Sequence, residues 1–149
     1  MTGTTTINFH GAAMRHHSDA VFLQSDRRDA NAGQLYGFVA ECGIKALLVA
    51  CGLSIEADGD IKKGKKGKDF RSHVNALAAQ INMIHSFLDG RAMSGYLAHI
   101  PDIAHFCDWD TAHRYFDESQ IPPSLGKWHL AASQVMKMLD VAKSDGVIR

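Results

Sequence analysis

The stretch Gln34–Cys51, QLYGFVAECGIKALLVAC, decides the fold class because it is apolar on nearly every side of a helix. A surface helix carries apolar residues on one stripe, whereas a helix that is apolar all round lies inside a domain. We therefore predict a central helix from Asn31 to Cys51. Gly52 follows it and can adopt the left-handed backbone conformation that ends helices. Other helices should pack around this segment.

A second helix is predicted from the spacing of apolar residues after position 69. These residues recur three or four positions apart, which places them on one helix face. We expect this helix to begin near Asp69 as its N-cap and to end at Asp89-Gly90. The stripe consists of Phe70, Val74, Leu77, Ile81, Ile84 and Leu88.

Helices are also predicted at both ends of the chain. A weak stripe from Phe9 to Leu23 indicates a first helix, which the polar cluster Ser25–Arg28 would end. After Pro122-Pro123, a stripe from Trp128 to Ala142 indicates a last helix, with Gly146 beyond it. Between them, glycine and proline divide the chain into short pieces, roughly Met93–Ile100, Asp102–Trp109 and Thr111–Phe116.

Length and composition favour a single domain over residues 1–149, and the predicted helices make it all-α. The chain has 149 residues, of which 46% are hydrophobic and 21% charged, close to the average of globular domains. Residues 1–8 are predicted to be a flexible N-terminus. The charges balance at 16 basic and 16 acidic residues, so no overall field draws the protein to nucleic acid or anionic membranes.

The location is predicted to be cytoplasmic. No basic-then-apolar leader opens the sequence, and no uninterrupted apolar run reaches the length of a membrane span. We therefore expect no association with a membrane.

The segment from Ile55 to Asp69 contains the run KKGKKGK and is predicted to be a mobile, exposed loop. Its lysines could bind phosphates, because each lysine near a nucleic-acid backbone adds attraction that does not depend on sequence. A plain solvated loop explains the same run. The candidate ligand-binding lysines are Lys62, Lys63, Lys65 and Lys66.

Glu41 and Lys45 lie four positions apart in the most apolar helix, the spacing of a stabilising ion pair. A structural pair is the simplest interpretation. The functional alternative is that Glu41 is a buried carboxylate that needs a cation or hydrogen-bond donors, as carboxylates in ligand sites do.

No metal site or cofactor is predicted. The nine histidines do not form the i, i+4 pair of a zinc-binding HExxH helix. None of Glu41, Glu56 and Glu118 is followed by histidine three residues later, which argues against a di-iron centre. The three cysteines lie in apolar surroundings, where thiols are usually inert.

Phe106–Asp117, FCDWDTAHRYFD, concentrates aromatic residues beside His113 and Arg114. Tyr115 could stack on a base and Arg114 could bind a phosphate. The alternative is a structural corner in which Arg114 pairs with Asp110 or Glu41.

Together these elements resemble the HEPN superfamily of small helical bundles, named for nucleotide binding. The resemblance spans roughly His10 to Ala142. Its strongest part is Ala-Glu-Cys followed by Lys-Ala-Leu-Leu in the central helix. The residues that carry it are LYGFVAECGIKALL (35–48), SHVNAL (72–77) and WDTAHRY (109–115).

The resemblance implies an antiparallel bundle of four to five helices and a homodimer. It also implies a polar cleft that holds Glu41, Lys45, His73, Arg114 and Tyr115. Proteins of this superfamily are often ribonucleases of toxin or defence systems, with an arginine followed four to six residues later by histidine. That motif is missing here, since no arginine has histidine at this distance.

The main hypothesis is therefore a non-catalytic HEPN-like module that binds a nucleotide, RNA or a partner protein in a defence or toxin–antitoxin setting. The alternative is a metal-independent ribonuclease with a displaced active site, in which His73 or His113 is the base and Arg114 binds phosphate. A structural dimerisation domain is the third interpretation.

Overall fold

The computed structural model describes residues 5–64, 70–81 and 90–149. Within these ranges the chain is all-α, as predicted, and contains no strand; an isolated antiparallel bridge joins Ile55 to Ile61. The α-helices are α1 (Phe9–Ser25), α2 (Asp29–Ala50), α3 (Val74–Gln80), α4 (Gly90–Leu97) and α5 (Leu125–Ser144), and the 3-10 helices are Ile103–Asp108, Thr111–Tyr115 and Glu118–Gln120.

Helix α2 lies at the centre of the fold, as its apolar sequence predicts, and most of its residues are buried. It ends where expected, because Gly52 has a φ of 103° in the left-handed region. Among the described residues α2 is also the one helix long and apolar enough to cross a membrane. Within its most apolar window 72% of the residues are buried in the fold, which is typical of a core helix.

Helix α1 packs antiparallel to α2. Near the start of α1, the Phe9 ring contacts Lys45 late in α2. Two turns further along α1, the His16 ring lies 5.7 Å from the Phe38 ring. The predicted start of α1 is confirmed, since Asn8 caps it with a side-chain oxygen that accepts the Gly11 N–H at 2.8 Å.

Helix α5 packs on α2 and runs in the same direction. Gly33 faces Trp128 near the start of both helices, and Gly43 faces Val135 further along. A β-carbon at position 43 would lie 2.3 Å from the Val135 side chain. Glycine at these positions lets the two backbones approach closely.

Helix α3 begins later than its apolar stripe predicts. Phe70 is buried but precedes the helix, and the N-cap is His73 rather than Asp69. The prediction of a helix from the spacing at Phe70 was therefore wrong at this end, because a buried residue in non-helical chain can share the spacing of a helix face. Asp69 and the later stripe residues Ile84 and Leu88 lie outside the described residues, as does the predicted end at Asp89.

The chain from Ile103 to Gln120 folds into the short pieces expected. They are 3-10 helices, of which Ile103–Asp108 packs on α3 and α5 and Thr111–Tyr115 packs on α2. Trp109 anchors them: its side chain is 1% exposed, and its Nε1–H donates to the Gly33 carbonyl over 3.1 Å. Gly37 provides the space for this indole, since a β-carbon there would lie 1.9 Å from Cε2 of Trp109.

The lysine-rich segment is exposed at residues 55–58 and 62–64, as predicted, but part of it contacts the rest of the fold. Ile61 is 1% exposed, and Asp58 accepts the Ile7 N–H through its backbone carbonyl at 2.7 Å. Asp60 and Arg71 form a salt bridge at 2.8 Å. Burial of Ile61, this hydrogen bond and the salt bridge together hold this part of the segment against the rest of the fold.

Candidate functional site

Three side chains meet where α3 begins beside α2. The Glu41 carboxylate places Oε1 2.7 Å from Nδ1 of His73 and Oε2 3.8 Å from Nζ of Lys45. Glu41 and Lys45 are buried, with side chains 11% and 10% exposed, whereas the His73 side chain is 54% exposed. The predicted Glu41–Lys45 pair is therefore confirmed, and it extends to an imidazole at the surface.

Local folding explains why His73 reaches Glu41. As the N-cap of α3, His73 has extended backbone angles, φ −79° and ψ 165°, rather than helical ones. Its side chain can therefore turn towards α2 instead of following the α3 stripe that buries Val74 and Leu77. The site thus depends on the helix beginning at Val74.

The buried Glu41 carboxylate has two partners within the fold. A carboxylate away from water needs a cation or donors, and Glu41 receives both from Lys45 and His73. The Lys45 ammonium in turn lies 5.9 Å from the centroid of the Phe9 ring, a favourable cation–π position. Both charged ends are thus stabilised by contacts within the fold.

The same contact gives His73 the arrangement of a proton-transfer group. When Nδ1–H donates to Glu41, the neutral ring carries its lone pair on Nε2. A carboxylate that fixes the tautomer and orientation of an imidazole is the arrangement used by general bases. Because half of the His73 side chain is exposed, a ligand can reach this ring.

His16 is a histidine near the site that the sequence analysis did not select. Burial lowers its pKa, the nearby Arg15 lowers it further, and the charges of Asp19 and Glu41 oppose this shift. His16 is therefore held towards its neutral, proton-accepting form. One signal could have identified it, since His16 lies seven positions after Phe9 and so on the same helix face.

A salt bridge links the segment that carries the candidate lysines to the segment that precedes His73. The Asp60–Arg71 salt bridge joins the segment that carries Lys62 and Lys63 to the residues just before His73. Lys62 and Lys63 are exposed, whereas Lys65 and Lys66 lie outside the described residues. The salt bridge thus links the chain two residues before Lys62 to the chain two residues before His73.

Arg114 and Tyr115 occupy a different corner. The Arg114 guanidinium lies 4.6 Å from the centroid of the Tyr115 ring. Among the described residues no carboxylate is within salt-bridge distance of Arg114, so the predicted pairing with Asp110 or Glu41 is not formed. Of the five residues that the resemblance places in one cleft, Glu41, Lys45 and His73 are in contact. Arg114 and Tyr115 contact each other instead. Their role in ligand binding stays a prediction.

His113 is buried, and its contacts are those of a structural residue. It closes a capping box with Asp110, whose backbone N–H points to Nδ1 of His113 at 3.4 Å. Its ring also stacks on Trp128 with centroids 6.0 Å apart. Of the two histidines proposed as a base, His73 is the one that a substrate can reach.

In the described part of the chain, no three His, Cys, Asp or Glu residues are placed to hold a metal ion. Burial raises the pKa of the Cys42 thiol to about 11, with the Glu41 charge adding to the effect. At neutral pH this thiol is protonated and a poor nucleophile. The geometry at His73 supports proton transfer through the ring that contacts Glu41.

The chain matches no protein-family model, no curated protein and no solved structure. The resemblance to the HEPN superfamily therefore stays a prediction, and function must be argued from the site itself.

Proposed function

We propose that this protein is a HEPN-like helical module that binds RNA, without cleaving it, at the end of the molecule that carries His73. One observation carries the proposal: the Asp60–Arg71 salt bridge holds the exposed pair Lys62 and Lys63 beside the segment leading to the exposed His73 ring. Free nucleotides share the phosphate chemistry and compete for the same groups.

The physical basis is local charge on a neutral molecule. The whole chain has no net charge at neutral pH, so attraction to RNA must come from a patch. Exposed lysines that meet phosphates release counterions, which makes binding fall as salt rises, with a slope of about 0.7 per phosphate on single strands. Lys62 and Lys63 have exposed side chains for such contacts.

The test is a titration of labelled single-stranded RNA of mixed sequence at about 50 and about 200 mM salt. We expect the variant Lys62→Gln/Lys63→Gln to bind more weakly and to lower the salt slope by roughly 1.4. The matched control is Lys137→Gln/Lys143→Gln, which removes two exposed lysines from α5 and should bind as the wild type does. Equal loss in both variants, or no binding by the wild type, would contradict the proposal.

A second candidate function is metal-independent cleavage of RNA, and the 2.7 Å contact between His73 and Glu41 favours it. Nε2 of His73 would take the proton of the 2′-hydroxyl while O2′ forms a bond to phosphorus and the P–O5′ bond breaks. The imidazolium or water then protonates the 5′ oxygen, which gives a 2′,3′-cyclic phosphate and a 5′-hydroxyl.

Cleavage would be tested with the same RNA and the single variants His73→Ala, His113→Ala and Arg114→Ala. If the second function holds, His73→Ala abolishes cleavage, and Glu41→Gln lowers kcat and changes its pH profile because the ring loses its orienting carboxylate. Binding without cleavage in the wild type supports the first function alone. Neither binding nor cleavage would leave a structural dimerisation domain as the interpretation.

A further inference from the structure

The corner that follows His113 presents an unusual surface. From Arg114 to Gln120 every residue is exposed, although the segment begins directly after a buried histidine. It includes two large aromatic side chains, Tyr115 at 77% exposure and Phe116 at 46%. Aromatic rings left in water with an arginine beside them are the composition of interface hot spots.

The corner is held rigidly before any partner arrives. His113 and Asp110 form the capping box of the 3-10 helix Thr111–Tyr115. The next 3-10 helix is capped by Asp117, which accepts both the N–H and the hydroxyl of Ser119 at 3.0 and 2.6 Å. A preorganised surface loses little conformational freedom on binding, which favours affinity.

The segment that carries the aromatic rings has a net negative charge. Asp110, Asp117 and Glu118 are exposed. Residues 110–120 thus carry three carboxylates and one positive charge, that of Arg114, which gives a net charge of −2 when His113 is counted as neutral. The side-chain and backbone hydrogen bonds from Ser119 lower the pKa of Asp117, which keeps it ionised. An anionic rim repels a phosphate backbone and attracts lysine or arginine.

We propose that this acidic aromatic corner, residues 110–120, is a docking site for a basic segment of a partner protein. The partner places an apolar or aromatic side chain against Tyr115 and Phe116, and lysine or arginine beside the carboxylates. The inference goes beyond RNA binding at the His73 end and does not depend on it, because it uses another surface and the opposite charge.

The probe is a library of random displayed peptides, selected on the wild-type protein and counter-selected on the variant Tyr115→Ser/Phe116→Ser. We expect the recovered peptides to combine lysine or arginine with leucine, phenylalanine or tryptophan. A labelled synthetic copy of the most frequent peptide should bind the double variant more weakly than the wild type, by a factor of about ten or more. Asp117→Asn/Glu118→Gln should weaken it about threefold or more, whereas Asp140→Asn on α5, the matched control, should not.

The substituted side chains are exposed, so these variants should fold. Each should have the same Tm as the wild type, and Tyr115→Phe should retain full peptide binding. Recovered peptides without basic residues, or peptides that bind the double variant as well as the wild type, overturn the proposal. Loss of RNA binding in the Tyr115→Ser/Phe116→Ser variant would also overturn the proposal, because it would assign the corner to unpaired bases. Self-association lost in that variant would instead assign it to a second copy of this chain. The lysine variants of the RNA titration report separately on the His73 end.

Discussion

Gly37 is the residue that lets the 3-10 region, residues 103–120, pack against α2 through Trp109. A β-carbon at this position would lie 1.9 Å from Cε2 of Trp109, and the indole has no free space because it is 1% exposed. Gly37→Ala should displace the ring and weaken its hydrogen bond to the Gly33 carbonyl. We expect the free energy of unfolding, measured in urea, to fall by about 1–3 kcal/mol or more.

Gly126→Ala is the control for this prediction. Nothing lies within 4 Å of a β-carbon at position 126, which is in α5. Alanine is favoured over glycine in a helix by roughly 0.5–1 kcal/mol, so this variant should be as stable as the wild type or more stable. Similar losses in both variants would show that the Trp109 contact is not the cause.

Glu41 and Lys45 are expected to depend on each other. Glu41→Gln leaves the Lys45 ammonium inside the fold at 10% exposure without its counter-charge, and should cost roughly 3 kcal/mol of unfolding free energy. Lys45→Met keeps the packing of the side chain and removes the charge. The double variant Glu41→Gln/Lys45→Met should therefore lose less than the sum of the single losses, measured by urea unfolding. Strict additivity would mean that the two charges do not interact.

At the scale of the helices, α1, α2 and α5 meet around the Tyr36 side chain. This ring is completely buried, stacks on His129 with centroids 4.9 Å apart, and lies 6.5 Å from the ring of His17. Its hydroxyl donates to Gln24 at 2.5 Å. Two imidazoles from two different helices thus flank one buried phenol, so protonating them places positive charge at this junction.

This junction predicts a loss of stability in acid. Burial lowers the pKa of His17, and His129 adds to the effect, so the folded state favours the neutral ring. In the unfolded chain the pKa is about 6.5. The contribution is fully present above that pH and is lost as pH falls below it, because the unfolded state then binds more protons. Urea unfolding at about pH 7.5 and about pH 5.5 should show a smaller loss for His17→Gln than for the wild type. The same loss in both proteins would place the pH dependence elsewhere.

Elements defined by their own composition could be predicted from the sequence. The long apolar run and Gly52 set α2 to within two residues of its observed bounds, Asp29–Ala50. The start of α3 could not be predicted, because Phe70 is buried in non-helical chain at the spacing that a helix would give. The close approach of α5 to α2 could not be predicted either, since it depends on contacts such as Gly43 with Val135 that no local pattern contains.

The candidate site shows the same division. The Glu41–Lys45 pair follows from one helical spacing and could be predicted. Its contact with His73 joins residues 32 positions apart, and only the family resemblance placed them together. Arg114 was assigned to that cleft by the same resemblance, but its contact is with its neighbour Tyr115. Tertiary packing, which the local sequence does not encode, separates these two surfaces.

At the scale of the whole molecule, one core connects the long helices to the 3-10 region. Trp128 belongs to α5, yet its Nε1–H donates to Asp108 of the 3-10 helix Ile103–Asp108 at 2.9 Å. Trp109 ends that helix and fills the space beside Gly37. Both indoles are buried, at 1% and 2% exposure, within the same hydrophobic cluster. The region that carries the acidic aromatic corner should therefore unfold together with the bundle.

The variants Trp109→Phe and Trp128→Phe test this coupling, because each retains a single indole as a local probe. In both variants the urea transition followed by tryptophan fluorescence should coincide with the transition followed by far-UV circular dichroism, as two-state unfolding requires. Comparing the two signals within one variant removes the effect of the substitution on overall stability. If the Trp128→Phe variant, which retains Trp109, loses its fluorescence signal at a lower urea concentration than its helical signal, the 3-10 region opens independently. The corner would then be a mobile surface, and its preorganisation would no longer favour partner binding.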